Sequence, residues 1–422
     1  MRLKNVTFLN SDMRLETRDL SIEDGKISFD FNRDNKENSI NCEDYLVIPG
    51  LINAHFHSYS PLTKGLTKEM AIQDWCNDSE QGKIQQLFFD YLDNEVAKED
   101  FVYVAQKSYI DMVKNGVTFV SDSDPGDSPE LLSHAINEIG IRGIIDTYEE
   151  IEDYHSKTNG NVLFGTHLLE EEDITNEELR NLQGVKDKYN PIMMTHCLEN
   201  QWRFNIVNSK YGKSSVELYN EGNLLDENAV LFHGVFMSGK DMELIAKNGS
   251  SVVHCPISNL NTGAGLADVN GMHEKGINVC LGTDYAHTNM WELMRLTYYL
   301  LKINNSIDKF SAEDIFRMAT INGARAYQLE EDIGEIKEGH KADLVFIKKD
   351  SSLNPLIAEE NFSTYLHNVL FYSEEYFVQN VMVDGEWIMK ERKLMTVNEE
   401  KIENKYNKIL KGFSTYLEEH SR

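Results

Sequence analysis

His55 and His57 follow an apolar run, Val47-Ile48-Pro49-Gly50-Leu51-Ile52-Asn53-Ala54. Alternate side chains of a strand share a face, so the two imidazoles point the same way. Such a pair at the end of a buried strand can hold one metal ion. Two unrelated histidines near a strand end give the same pattern, so the case turns on further donors. His196 closes Met193-Met194-Thr195, and Asp284 closes Leu281-Gly282-Thr283. Three His and one Asp form a set of borderline hardness, suited to zinc or ferrous iron. Water bound to such an ion loses a proton near neutral pH and becomes a hydroxide nucleophile. Glu199, three residues past His196, can lean over the site and carry protons. His233, after Leu231-Phe232, can orient the hydroxide or steady developing charge. A solvated carboxylate at a helix start and a packed core histidine are the alternatives for these two.

The positioning elements are legible as alternation. Short apolar runs at 46–54, 117–120, 141–145, 162–164, 192–194, 229–232, 251–253 and 277–281 alternate with amphipathic stretches such as 99–115 and 241–247. Eight strands alternating with helices predict a (β/α)8 TIM barrel, and runs apolar on both faces fit a parallel sheet covered on both sides. The runs end in His55/His57, Asp122, Asp146, His167, His196, His233, His254 and Asp284. Catalytic groups of such barrels sit at the C-terminal ends of the strands. Before and after the barrel the pattern is short strands and turns. The expected organisation is 1–48 as the N-terminal part of a small β-sandwich, 49–339 as the metal-dependent hydrolase barrel, and 340–422 as the C-terminal part of the sandwich plus a terminal helix. That helix, 398–419, carries Ile402, Tyr406, Ile409, Leu410, Phe413 and Leu417 on one face. Packing on its own subunit is the expected use of that face, with a dimer contact as the alternative.

Composition narrows the function. Lys plus Arg total 41 against 70 Asp plus Glu, for a net charge of −29 among 422 residues. Nucleic acid and anionic membrane both need a basic face, so neither is an expected partner. A small-molecule substrate is. The five cysteines are an odd number without a CxxC pair, which predicts reduced thiols in a cytoplasmic protein. No stretch reaches the roughly 20 apolar residues of a membrane helix, and the N-terminus lacks a signal-peptide pattern.

Several motifs together resemble the amidohydrolase superfamily. They are Pro49-Gly50-Leu51-Ile52-Asn53-Ala54-His55-Phe56-His57, His196-Cys197-Leu198-Glu199, His233-Gly234-Val235, His254-Cys255-Pro256-Ile257-Ser258-Asn259-Leu260 and Leu281-Gly282-Thr283-Asp284. Asn322-Gly323-Ala324-Arg325-Ala326 and the segment from Gly334 to Leu344 resemble the family's return into its sandwich. The set is similar to the branch of cytosine deaminase, triazine chlorohydrolases and S-adenosylhomocysteine deaminases. The resemblance implies His55, His57, His196 and Asp284 as ligands of a single divalent ion, with zinc first and ferrous iron second. It implies Glu199, His233 and Asp284 as catalytic groups. Binuclear branches carry a lysine after the fourth strand; Phe164-Gly165-Thr166-His167-Leu168 has none. His254 is expected to pack behind the site rather than to ligate. Trp75, His167, Lys64 and His287 are the expected substrate contacts, and a homo-oligomer, a dimer first, is expected by analogy.

The implied activity is an aminohydrolase of cyclic amidines, releasing ammonia from an amino-substituted purine, pterin, pyrimidine or nucleoside-like ring. A different leaving group at the same site (chloride, an alkylamine, a cyclic amide or a guanidine or formimino carbon) is the alternative, and a non-catalytic scaffold is a remote one. The chain departs from the branch where substrate is read. It has Lys64-Gly65 in place of Arg-Gly, Leu168-Leu169-Glu170-Glu171 in place of Ala-Pro-Tyr-Thr, and an acidic stretch with Glu149, Glu150, Glu152 and Asp153. No arginine lies in 143–179 to meet a substrate carboxylate. Lys64, His167, Glu170 and His287 are therefore expected to face the substrate.

Overall fold

The computed structural model describes residues 1–420 apart from 31–38, 76–79, 124–128, 149–153, 155–159, 304, 306, 360–361 and 374–376. The acidic stretch at 149–153 and Cys76 lie outside the described residues.

All eight expected runs form strands: Leu51–Phe56, Val117–Asp122, Arg142–Thr147, Val162–His167, Met193–Cys197, Ala229–His233, Ser251–His254 and Asn278–Leu281. They pair in parallel in chain order. The first and last strands meet at a parallel bridge between Phe56 and Asp284, and the Asp284 amide donates to the His55 carbonyl at 2.9 Å. The expected (β/α)8 barrel is thus closed. Apolar residues serve both faces. Along the sixth strand, Val230 and Phe232 join the inner cluster with Phe119, Met194 and Val253, while Ala229 and Leu231 join the outer cluster under the helices.

The first strand breaks this alternation. Ile52 packs inward and Phe56 outward, although both are even-numbered. The pairing with the second strand shifts register between Asn53 and Phe56. A one-residue slip exchanges the faces of a strand, and here it turns His55 inward onto Phe232, with ring centroids 3.9 Å apart. The run at 46–54 is two strands, Tyr45–Pro49 and Leu51–Phe56, divided at Gly50. A Cβ on Gly50 would lie 1.9 Å from Thr118 Oγ1, so only glycine lets the chain pass.

The terminal segments form one hydrogen-bonded sheet of nine strands. Tyr45–Pro49 joins its halves by pairing antiparallel with Leu344–Lys348. The sheet closes over its own core of Leu3, Val6, Phe8, Leu20, Val47, Leu344, Phe346 and Met382. The two layers of the expected sandwich are therefore one continuous sheet, brought together where Lys26 bridges Lys341. Its strand Leu15–Glu23 has no sequence signature, because only Leu20, Ser21 and Ile22 are buried. The barrel is tied to this unit by Arg142, whose Nε lies 2.7 Å from Asp343 Oδ2 and whose Nη2 lies 3.0 Å from Asp384 Oδ1.

The terminal helix, Glu399–His420, packs Tyr406, Ile409 and Phe413 onto Leu62, Phe88, Tyr91 and Val104 of the same chain. No helix among the described residues is long and apolar enough to cross a membrane.

Candidate metal centre

Four donors converge at the C-terminal mouth of the barrel. His55 Nε2 lies 3.2 Å and His57 Nε2 3.3 Å from Asp284 Oδ1. His196 Nε2 lies 3.3 Å from His57 Nε2. Two donors about 2.1 Å from one tetrahedral ion stand about 3.4 Å apart, so these separations are those of ligands sharing an ion. Hydrogen bonding alone does not account for them. His55 is 0% exposed, yet neither of its ring nitrogens makes an aligned hydrogen bond among the described residues. Burial holds its pKa well below the ordinary imidazole value, which favours the neutral, lone-pair form a metal needs. Burial works against the charged form of Asp284, but the adjoining His55 and His57 imidazoles override it and hold the carboxyl well below the usual range. The donor set and its protonation states fit a divalent ion.

Packing between the first and last strands sets this geometry. Asn53 Nδ2 donates to Thr283 Oγ1 at 2.7 Å, and the Thr283 amide donates to Asn53 Oδ1 at 2.9 Å. Gly282 lets the strands touch: a Cβ there would stand 2.7 Å from His55 Cβ. Asp284 then takes a φ of 57°, uncommon outside glycine, which turns its carboxylate across the mouth. His233 does the same with a φ of 73°. Its Nδ1 is 2.8 Å from Asn259 Oδ1, to which it can donate, and its Nε2 lies 3.8 Å from Asp284 Oδ2.

A sequence model described as "Amidohydrolase family" matches residues 46–388. The chain belongs to the amidohydrolase family. It is 30% identical over 394 residues to a 5-methylthioadenosine/S-adenosylhomocysteine deaminase of Pyrococcus horikoshii, covering 87% of this chain and 88% of that one. Two solved structures share the fold. One is an adenosine deaminase from Xanthomonas campestris with bound zinc, with TM-score 0.86, 18% identity and 98% of each chain covered. The other is a mutant atrazine chlorohydrolase from Arthrobacter aurescens complexed with zinc and atraton, with TM-score 0.84, 18% identity, and 97% of this chain and 99% of that one covered.

Around the centre of this amidohydrolase, Glu199 is 2% exposed, so it is not a solvated helix-start carboxylate. Asn200 caps the following helix by accepting from the Arg203 amide, and Arg203 Nη1 lies 3.5 Å from Glu199 Oε2. His254 is fully inside, with burial pushing its pKa down to about 3. It belongs neither to the group His55, His57 and Asp284 nor to the group His55, His196 and His233, in each of which the donor atoms lie within 4.8 Å of one another.

The substrate-facing expectations separate. Lys64 and His287 line one cavity of about 500 Å³ with Tyr285, Ser258, Asn261 and Glu292. Tyr285 connects this cavity to the centre, its ring 6.3 Å from that of His57 and its hydroxyl held by Gln85 Nε2 at 2.8 Å. His167 lies on the opposite side, 8% exposed, with Nδ1 2.8 Å from Asp146 Oδ2 and Tyr148 stacked on its ring. Trp75 ends the short helix Ile72–Trp75, and its side chain is outside the described residues. Glu170 does not face the cavity that Lys64 and His287 line; it pairs with His196 Nδ1 at 2.7 Å. Glu170, expected to face the substrate, is thus a neighbour of the centre instead, and Arg203 and Asn259 are neighbours that the sequence left without a role. Loop residues carry no periodicity, and only the position of Asn259 inside a quoted motif marked it.

Proposed function

We propose that this amidohydrolase is a zinc-dependent deaminase of an amino-substituted nitrogen heterocycle, with an adenosine-like ring first among the substrates. The observation that carries the reading is the convergence of donors, with His55 Nε2 and His57 Nε2 3.2 and 3.3 Å from Asp284 Oδ1 and His196 Nε2 3.3 Å from His57 Nε2. These four would hold the ion. When bound, the ion lowers the pKa of its water toward neutrality and polarises the reacting centre. The 30%-identical relative, a 5-methylthioadenosine/S-adenosylhomocysteine deaminase, supports an adenosine-type ring. The buried free thiols Cys42, Cys197, Cys255 and Cys280 support a cytoplasmic setting.

The chain's own residues then move the protons. Water adds to the amidine carbon of the ring. Glu199 takes a proton from it and passes that proton to the ring nitrogen. The hydroxyl of the adduct then gives up its remaining proton, which Asp284 or Glu199 relays to the exocyclic amine; the amine leaves as ammonia and a carbonyl remains on the ring. His233, its ring oriented by the Asn259 contact to Nδ1, orients the water through Nε2. The cavity beside Tyr285 receives the rest of the substrate, with Lys64 and His287 on its wall.

Ammonia release from a panel of purine nucleosides, pterins, pyrimidines and guanidines tests this reading on zinc-loaded protein. Glu199→Gln is expected to keep the metal and lose turnover by at least about 10²-fold. Full activity in that variant removes the proton-shuttle role. Release of chloride or an alkylamine in place of ammonia, seen by product mass, replaces the deaminase reading.

A further inference from the structure

Behind His196 lies a buried charge network that the proposed chemistry does not use. Glu170 sits on the loop after the fourth strand, its side chain 17% exposed. One oxygen, Oε1, is 2.7 Å from His196 Nδ1 and 3.4 Å from His167 Nε2. The other, Oε2, is 2.7 Å from Arg203 Nη1. Arg203 Nη2 reaches Glu172 Oε1 at 3.0 Å, so the guanidinium is held from several sides. The next residue, Glu171, grips the same turn of chain: it accepts from the Leu198 amide at 2.9 Å and from Ser215 Oγ. Two consecutive carboxylates thus fasten the loop after the fourth strand to the segment that carries His196 and Glu199.

We infer that Glu170 is a positioning residue for the metal centre, holding His196 so that its Nε2 lone pair faces the ion. The inference rests on the metal reading above. A carboxylate at Nδ1 fixes the proton there, sets the ring plane and strengthens Nε2 as a donor. The His196 and His57 rings are parallel within 2°. Arg203 neutralises Glu170 without competing for Oε1, so the carboxylate stays on the imidazole. The departure from the family pattern at this loop, a substrate-reading position on sequence grounds, is by this inference a change in how the ligand is supported.

The test is zinc affinity of the full chain, stripped and refilled in competition with a chromophoric chelator, for wild type, Glu170→Gln, His196→Gln and the double variant. Glu170→Gln is expected to weaken zinc binding by about 10–100-fold. It is also expected to alter the visible spectrum of the cobalt-substituted protein and to leave KM at saturating zinc unchanged. In the His196→Gln background it is expected to cost nothing further, since its effect runs through that ring. Wild-type zinc affinity in Glu170→Gln overturns the inference and leaves the metal reading standing. So does a changed KM with unchanged zinc affinity, which would make Glu170 a substrate contact. A wild-type protein that binds no zinc overturns the metal reading itself. Should Glu170→Gln fail to fold, Glu170→Asp keeps the charge, retracts the carboxylate by one methylene, and is expected to show the same zinc loss; wild-type affinity there overturns the inference equally.

Discussion

Gly282→Ala is a one-methyl probe of the whole centre. The added Cβ would lie 2.7 Å from His55 Cβ, 2.8 Å from Val253 Cγ1 and 2.9 Å from the His55 backbone nitrogen. None of these is the far end of a flexible chain, so the backbone itself has to yield. Ordinary contact begins near 3.4 Å, which asks the first and last strands to part by about 0.7 Å. Those strands carry His55 and Asp284, whose donor atoms stand 3.2 Å apart. Metal–ligand distances tolerate about ±0.2 Å. The displacement exceeds that by about threefold, so the centre is affected more than the fold. Overpacking at one methyl is expected to cost about 1–3 kcal/mol of stability, while zinc affinity falls by about 10-fold or more, because each lost factor of ten needs only about 1.4 kcal/mol. Urea unfolding of the metal-free protein reads the first quantity, and chelator competition reads the second. A variant that binds zinc like wild type, whatever its stability, refutes the claim that contact between these strands sets the donor geometry.

Two further predictions concern charge away from the ion. Arg142→Met breaks a buried pair with Asp343 that also reaches Asp384, and is expected to cost about 3–5 kcal/mol in urea unfolding; a loss below about 1 kcal/mol would make this pair no better than a surface one. Burial works against a charged His167, but Asp146 and Glu170 override it and raise its pKa to about 9, above the value near 6.5 of an unfolded histidine. The folded state therefore binds that proton more tightly. The stability it contributes, on the order of 3 kcal/mol, is fully present below about pH 6.5 and is lost as pH rises through about 9. Unfolding wild type and His167→Asn across that window reads it as a shrinking difference, and a difference that does not change with pH counts against the buried imidazolium.

The sequence made the centre legible and its support illegible, for one physical reason. Metal ligation demands particular atoms at strand ends, so the proposed ligands His55, His57, His196 and Asp284 stand out against the apolar runs that carry them. The barrel followed from the same runs, because a strand buried on both faces has to be apolar throughout. What escaped was set by irregular backbone. The register shift that turns His55 inward and the left-handed conformations of His233 and Asp284 leave no periodic trace. Leu15–Glu23 escaped because a strand buried at three positions cannot show an alternation. Glu170 was assigned to substrate because it follows a barrel strand, where substrate contacts gather. Yet a carboxylate at that level has two destinations, the open mouth or the back of a neighbouring imidazole. The choice is settled by what can neutralise it. Arg203, one helical turn beyond Glu199 and anchored by Asn200 at the helix start, supplies the counter-charge on the imidazole side. A buried carboxylate is drawn toward the side where its charge is paired, and so an arginine 33 residues downstream, set by the cap of its helix, decides what the residue does.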